Sequence, residues 1–471
     1  MTTARDSATV RASTVVPARQ HRDRWLLVAG IIAFAAAIAA YIVYAVVHPA
    51  IQWQDPVDLR VYHDGGLIVR HVRPFYRALR AAPLYDWHGF AGLPFTYPPF
   101  AALAFTPLTW ISFWTLSKIV IGVNIAALLA TVWMTFGGLG YRRGMARLGA
   151  TLLLAAPLLW TEPVQRVLFL GQIELVLMAL IIWDQGQPDR RWWKGAGIGI
   201  AAGIKVIPLI FIPYLLLTRR FRQAAVATGT FAATVVLGFA VLPADSRRWW
   251  LDGLMFNDSR TGFVGWEGNQ SLGAIVSRLS GSITAGKPAW LLIAAATAVV
   301  GVVCAAVLDR AGHRMVGLLT CALTGLLCSP ISWDHHWVWI APGVVTAAVY
   351  AVRARHALAR WAAAALAAGL VVAFAAWPGS LWNEPSQGGF MEGLIWIPPY
   401  TNPETFIRLG DRPWYAEYHW HGLQLISGNL YVLAGIGVFA LLAVLAVSLG
   451  RRAGPGLGLL TRAAAPPPRE A

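Results

Sequence analysis

Between Trp25 and Gly450 the chain repeatedly runs for about 20 predominantly apolar residues and then stops at an arginine or a tryptophan. A hydrocarbon layer satisfies no backbone N–H or C=O, so runs of that length are expected to fold as helices that cross it with their hydrogen bonds closed internally. The composition agrees. With 57% hydrophobic and 13% charged residues, against roughly 45–50% and 25% in soluble domains, a soluble multidomain protein is excluded. The expectation is an all-α polytopic membrane protein built as one helical bundle.

The formal charge of +16 does not indicate a nucleic-acid partner, because the basic residues stand singly or in pairs at the ends of apolar runs, where cytoplasmic retention places them. Cys304, Cys321 and Cys328 all fall inside apolar runs, so neither a disulfide framework nor a zinc knuckle is expected. Residues 1–24 carry Arg5, Arg11, Arg19, Arg22 and Arg24. The apolar run behind them is too long for a signal-peptide core and lacks a clear cleavage site, so they are expected to form a cytoplasmic tail.

Placing every basic connection on the cytoplasmic side gives spans near 25–47, 113–136, 147–162, 170–185, 222–242, 288–308, 315–328, 336–352, 360–377 and 429–449. The stretch 195–217 is flanked by arginines and lysine at both ends and is too short to cross and return as full spans. Its glycines and Pro208 and Pro213 predict a hairpin of two short helices, a form tolerated where backbone lines a cavity. The total is about twelve spans. A single domain over 25–450 is therefore expected, with outer loops near 48–112, 243–287 and 378–428, a tail over 451–471, and both termini cytoplasmic. Residues 97–110 are expected to lie as a re-entrant or surface helix on the outer side.

This threading collects the unusual polar residues on the outer face. In "PVDLRVYHDGG", Asp58 and Tyr62 share a helical face and Asp64 is offset from it. An acid at the membrane edge marks function by default, although an Asp near a helix start also serves as an ordinary cap. Lys205 is a lone ammonium in an apolar run, placed either to snorkel or to meet an anion. In "SPISWDHHW", His335 and His336 diverge by about 100° on a helix, which favours binding an anion over sharing one metal. Arg166 and Arg260 are further outer-face cations, and Asn269 begins an Asn-Gln-Ser sequon. The tryptophans Trp53, Trp87, Trp249, Trp250, Trp266, Trp382, Trp396, Trp414 and Trp420 exceed what an interfacial belt needs and suit sugar or lipid contacts.

Six segments, "DLRVYHDGG", "TYPPFAALAFTPL", "FLGQIELVLMALIIWD", "GAGIGIAAGIKVIPLIFIPYLLLTRR", "NQSLGAIVSRL" and "SPISWDHHWVW", resemble in order and spacing family 87 of the glycosyltransferases. These are polyprenol-phosphate-mannose-dependent α-1,2-mannosyltransferases of actinobacterial envelopes. The branch that extends phosphatidylinositol mannosides is the most similar. The resemblance runs from Trp25 to about residue 350 and implies a C-type membrane fold in the plasma membrane. It also implies a lipid-linked mannosyl phosphate donor, a mannosylated phosphatidylinositol acceptor, and an acid in the first outer loop, here Asp58, as catalytic base. It departs at Glu174, where many members carry Asn two residues after Gly-Gln.

Together these expectations make Asp58 the base that accepts the proton of an acceptor hydroxyl in a single inverting displacement. Lys205, His335, His336 and Arg260 would steady the leaving phosphate. Tyr62, Asp64, Tyr97, Gln172, Glu174 and Asn269 would shape the sugar or acceptor pocket. No metal or other cofactor is expected, and the chain is expected to act as a monomer. The alternatives are a lipomannan or lipoarabinomannan side-chain mannosyltransferase, an arabinofuranosyltransferase using polyprenyl-phosphate-arabinose, and, from another class, a secondary transporter. A non-catalytic scaffold would make Asp58 replaceable.

Overall fold

The computed structural model describes residues 6–47, 56–70, 83–86, 93–378, 391–396 and 417–452. Among these, five helices are long and apolar enough to cross a membrane: Gln20–Val47, Phe113–Gly138, Phe221–Val241, Ile283–Arg310 and Leu430–Arg451. A bent pair adds a sixth if counted as one span, and four shorter apolar helices lie among them. The chain is thus an all-α membrane protein, with one two-residue hairpin pairing β1 (Trp377–Pro378) and β2 (Met391–Glu392) antiparallel.

In chain order the helices are α1 (Asp6–Val47), α2 (Val57–Val69), α3 (Pro83–Asp86), α4 (Pro99–Phe105), α5 (Phe113–Gly138), α6 (Met145–Leu159) and α7 (Glu162–Leu170). Then come α8 (Glu174–Gln185), α9 (Ala196–Ile204), α10 (Phe211–Leu217), α11 (Phe221–Val241), α12 (Pro243–Trp250) and α13 (Leu272–Ser280). The remainder are α14 (Ile283–Arg310), α15 (Arg314–Cys328), α16 (Ile340–Arg353), α17 (Ala357–Ala373), α18 (Leu423–Ser427) and α19 (Leu430–Arg452). Two boundaries depart from expectation. Helix α1 begins at Asp6, so the polar segment behind residue 24 continues the first span as helix. Residues 162–170, expected to start an outer loop, form α7, which meets α8 at 115° because Gly171 takes a left-handed φ of 68°.

The 195–217 segment turns back on itself. Gly195, Gly199 and Gly203 face α11, where a Cβ would run into Gln223 O, Ala227 O and Thr234 respectively, so α9 lies against α11 backbone to backbone and parallel to it. Helix α9 stops at Lys205, whose φ of −142° and ψ of 124° are extended. A 3₁₀ turn over Ile207–Ile210 and α10 then carry the chain back to the start of α11. Gln223 Nε2 bonds Asp189 Oδ1 at 3.0 Å, and Arg222 donates to Asp189 O and Arg191 O, so the foot of the hairpin is tied together at its arginine-rich end. Lys205 is held at its tip, well inside the bundle.

Residues 97–110 form α4 followed by a 3₁₀ turn over Thr106–Trp110, started by Pro98 and Pro99, where the missing N–H costs nothing. Helix α4 packs against α2, α9 and α11 and so brings the tip of the hairpin close to the helix that carries Asp58. Close approach is possible because Gly65 faces Phe95 and Gly66 faces Phe105 and Thr109 with no room for a side chain.

Candidate active site

Asp58 lies in the first turn of α2, and its Oδ2 accepts a hydrogen bond from Gln172 Nε2 at 2.6 Å. Gln172 is itself fixed. Its Oε1 accepts from Tyr62 OH, and its backbone O accepts from Asn124 Nδ2 at 3.0 Å. Tyr62 OH also bonds Tyr97 OH at 3.0 Å. The 115° elbow makes this geometry, and Gly171 in it passes so near α2 that a Cβ would meet Leu59 Cβ at 2.6 Å. Burial raises the Asp58 carboxyl above its ordinary value, opposed by His335, Gln172 and Lys205 and reinforced by Glu174. A carboxylate held this way is a better proton acceptor than an exposed one.

Lys205 Nζ pairs with Glu174 Oε1 and lies 2.8 Å from His336 Nε2. Burial and the Lys205 charge hold the His336 imidazole well below its usual value, so it is neutral and accepts from the ammonium through Nε2. Its proton is then on Nδ1, which has no hydrogen-bond partner among the described residues. His335 is oriented the other way. Its Nδ1 donates to Asp334 Oδ1 at 3.0 Å, and its Nε2 is left without a partner. Glu174 Oε2 and Arg260 Nε are likewise unpartnered. Four orphaned polar atoms around one lysine are the pattern of a site that awaits a polar ligand.

Lys205, His336, Arg260 and Tyr97 line a single cavity of about 180 Å³, together with Trp249 and Trp333. Of the four groups expected from sequence to meet a phosphate, Lys205, Arg260 and the neutral His336 therefore converge, while His335 does not line this cavity. Glu174, His335 and His336 offer ligand atoms within 4.8 Å of one another, the one group among the described residues spaced to hold a metal ion. The Lys205 ammonium already bonds two of the three, so an ion there would have to displace it.

Two expectations need correcting. Asn269 belongs to no pocket. Its Nδ2 donates to Val264 O at 2.9 Å and Pro330 O at 3.1 Å, and its Oδ1 accepts from Ser332 N at 2.9 Å. All its capacity goes into clamping two backbone segments together, and it is fully buried, which also rules out use of the sequon. Asp64 is buried beside His63, 3.7 Å away, on a different face of α2 from Asp58. Glu174, expected in the sugar pocket, pairs with Lys205 through Oε1 and leaves Oε2 without a hydrogen-bond partner. Of the outer tryptophans, Trp53, Trp87, Trp382 and Trp414 lie outside the described residues, while Trp266 meets Trp333 and Trp396 edge to face.

A second buried network stands behind the first. Arg166 Nε donates to Asp334 Oδ2 at 2.9 Å, and Glu162 accepts from Trp396 Nε1 at 3.0 Å and Tyr431 OH at 3.1 Å. Burial alone would raise Asp334, but Arg166 and His335 hold it well below the usual carboxylate range. This network fixes the His335 tautomer. Its sequence signal is a pair of acids and an arginine bordering apolar runs, where ionisable groups are rare without a role.

With this geometry in hand, the comparisons are direct. Residues 95–330 match Glycosyltransferase family 87. A polyprenol-phosphate-mannose-dependent alpha-(1-2)-phosphatidylinositol pentamannoside mannosyltransferase of Mycobacterium tuberculosis is 31% identical over 92% of this chain and 91% of its own. Its Mycolicibacterium smegmatis counterpart is 32% identical over 81% and 84%. A polyprenol-phosphate-mannose-dependent alpha-(1-2)-phosphatidylinositol mannoside mannosyltransferase of M. tuberculosis is 30% identical over 64% and 72%. No solved structure matches. Most of the site, from Tyr97 through Gln172, Glu174 and Lys205 to Arg260, falls within the matched residues, and the chain belongs to glycosyltransferase family 87.

Proposed function

We propose that the protein transfers mannose from polyprenyl-phosphate-mannose to a mannosylated phosphatidylinositol on the extracytoplasmic face, forming an α-1,2 linkage with inversion. The observation that carries this reading is the part-buried Asp58 carboxylate, oriented by Gln172, whose partner Tyr62 bonds Tyr97 in the wall of the cavity that Lys205, His336 and Arg260 line. Asp58 takes the proton of the acceptor 2-hydroxyl as that oxygen attacks the anomeric carbon and the C–O bond to phosphate breaks. The developing charge on the phosphate is met by Lys205, by Arg260 and by the unpartnered Nδ1–H of His336. The ammonium supplies the charge, so no metal takes part. Tyr62, Tyr97 and Gln172 border the sugar.

Around this centre the chain is expected to form a C-type bundle of about twelve membrane crossings with both termini cytoplasmic, a count that rests on the placement of the basic connections; the five long apolar helices, the bent pair and the four shorter apolar helices supply ten of them. It acts as a monomer in the plasma membrane. Orientation rests on the arginine-rich connections at the foot of the hairpin, and the donor rests on chemistry: nucleotide sugars are cytoplasmic, whereas a lipid-linked mannose reaches the outer side. The test is transfer of labelled mannose in liposomes holding the purified chain, with phosphatidylinositol tetra- and pentamannosides as acceptors. An α-1,2 product by NMR, formed equally in the presence of EDTA, is expected. Transfer from a nucleotide sugar, or its loss on chelation, would overturn the scheme.

A further inference from the structure

An apolar groove of about 440 Å³ runs between α15, α16, α17 and α19, from Leu326 and Trp339 beside the Lys205 cluster toward the arginine-rich end of α16. Its wall on α17 is a stripe of Ala359, Ala363, Leu366 and Leu370, one residue per turn, on a helix with no buried residue. Gly343 opens the opposite wall, and a Cβ there would meet nothing within 4 Å. At the arginine-rich end the groove joins a larger cavity of about 720 Å³ through Tyr350, Ala359 and Ala363. That cavity is lined by His313, Arg314 and Arg353.

The charges at this mouth are only partly used. Arg353 Nη1 donates to Leu139 O at 2.8 Å, and Arg314 is half-neutralised by Asp189, 3.0 Å from its Nη2. His313 Nδ1 is 2.5 Å from Tyr350 OH. Two arginines therefore face a cavity with one carboxylate between them, while the groove beyond is almost wholly apolar. From Ile340 to Tyr350 the groove follows α16 for about 15 Å, which is one leaflet of a hydrocarbon core about 30 Å thick.

We infer that this cleft is a binding site for an anionic diacyl phospholipid, its headgroup phosphate at Arg353, Arg314 and His313 and an acyl chain in the groove. The donor lipid does not account for the mouth. It carries its single phosphate at the reacting end, beside Lys205, and has no second anion to offer at the opposite end of α16. A glycerophospholipid of the adjoining leaflet supplies both the anion and a chain of the required length. Such a lipid would fill the space between α17 and α19 and brace α16, whose other end leads into His335 and His336.

Native mass spectrometry of the full chain released from detergent tests this, with phosphatidylglycerol and phosphatidylcholine of identical acyl chains added separately. One phosphatidylglycerol is expected to remain bound, retained about tenfold more than phosphatidylcholine, since each arginine near a phosphate contributes several-fold. Arg353→Gln is expected to abolish the preference. Gly343→Phe, whose Cβ would meet nothing within 4 Å and which favours helix over glycine, is expected to abolish retention in a protein that still elutes as a single species. Equal retention of the two lipids, retention unchanged by Gly343→Phe, or displacement of phosphatidylglycerol by equimolar polyprenyl phosphate would each overturn the inference, the last by giving the groove to the donor's tail.

Discussion

Lys205 at the tip of the hairpin and Arg220 at its foot are both cations paired with a buried carboxylate, yet their surroundings differ in one respect. At the foot, Arg220 reaches both oxygens of Asp309, at 2.6 and 2.8 Å, and Tyr214 OH donates to the same carboxylate. Every hydrogen-bonding atom of that carboxylate is used. At the tip, Glu174 Oε2, His335 Nε2, His336 Nδ1 and Arg260 Nε have no partner. Burial and charge are common to both clusters, so neither identifies a site. A concentration of unmet hydrogen-bonding atoms does: the foot leaves only Gln223 Oε1 open beside a fully bonded carboxylate, whereas the tip leaves four such atoms around one lysine, as a site that must keep some for its ligand does.

That contrast can be broken most sharply at the tip. Asp58→Asn keeps the shape and the Gln172 contact but cannot take a proton, and a loss of transfer of about 10²- to 10⁴-fold is expected with unchanged circular dichroism. Activity near wild type would remove Asp58 as the base. Lys205→Met is expected to lower turnover by about 10²- to 10³-fold and to weaken inhibition by polyprenyl phosphate, as loss of a leaving-group cation should. Should it merely lower the melting temperature, Lys205 would be structural and the comparison would fail.

At the foot the expectation is reversed. Asp309→Ala leaves Arg220 buried without its partner, a loss of about 3 kcal/mol of stability, read as a lower unfolding temperature in detergent. Turnover per folded molecule should stay near wild type. The smallest effect concerns pH. Burial raises the Asp58 carboxyl, so transfer should climb with pH through a limb lying above the ordinary carboxylate range, as the base loses its proton. The Gln172 bond favours the charged form and holds that limb down, so Gln172→Leu should move it to higher pH. A shift to lower pH would show that Gln172 does not act on this carboxylate.

Apolar run length and the glycine spacing of 195–217 made the five long spans and the hairpin legible, because these are local properties that a bilayer enforces. Asp58 and Lys205 stood out for the same reason, as charges in a setting where charge is expensive. The partners were not legible. Arg166 and Asp334 are separated by 168 positions, and no periodicity links them, so Arg166 looked like an ordinary loop cation until the fold joined it to His335 through Asp334. Asn269 misled in the opposite direction, since a polar side chain in an outer loop looks available until its backbone contacts are seen. Glu174 was conspicuous in sequence, but only the hairpin fold shows that it pairs with Lys205.

The glycine seam between α9 and α11 carries a mechanical consequence. With Gly195 and Gly199 against main-chain oxygens of α11 and Gly203 against Thr234, the backbone of the lysine that follows has little lateral travel. The enzyme cannot reach for its donor; the donor must slide to a fixed stop. Widening that seam by a single methyl group, as in Gly199→Ala, whose Cβ would meet Ala227 O and Thr230 at 2.6 Å, would move the stop itself without altering any side chain of the cluster around it.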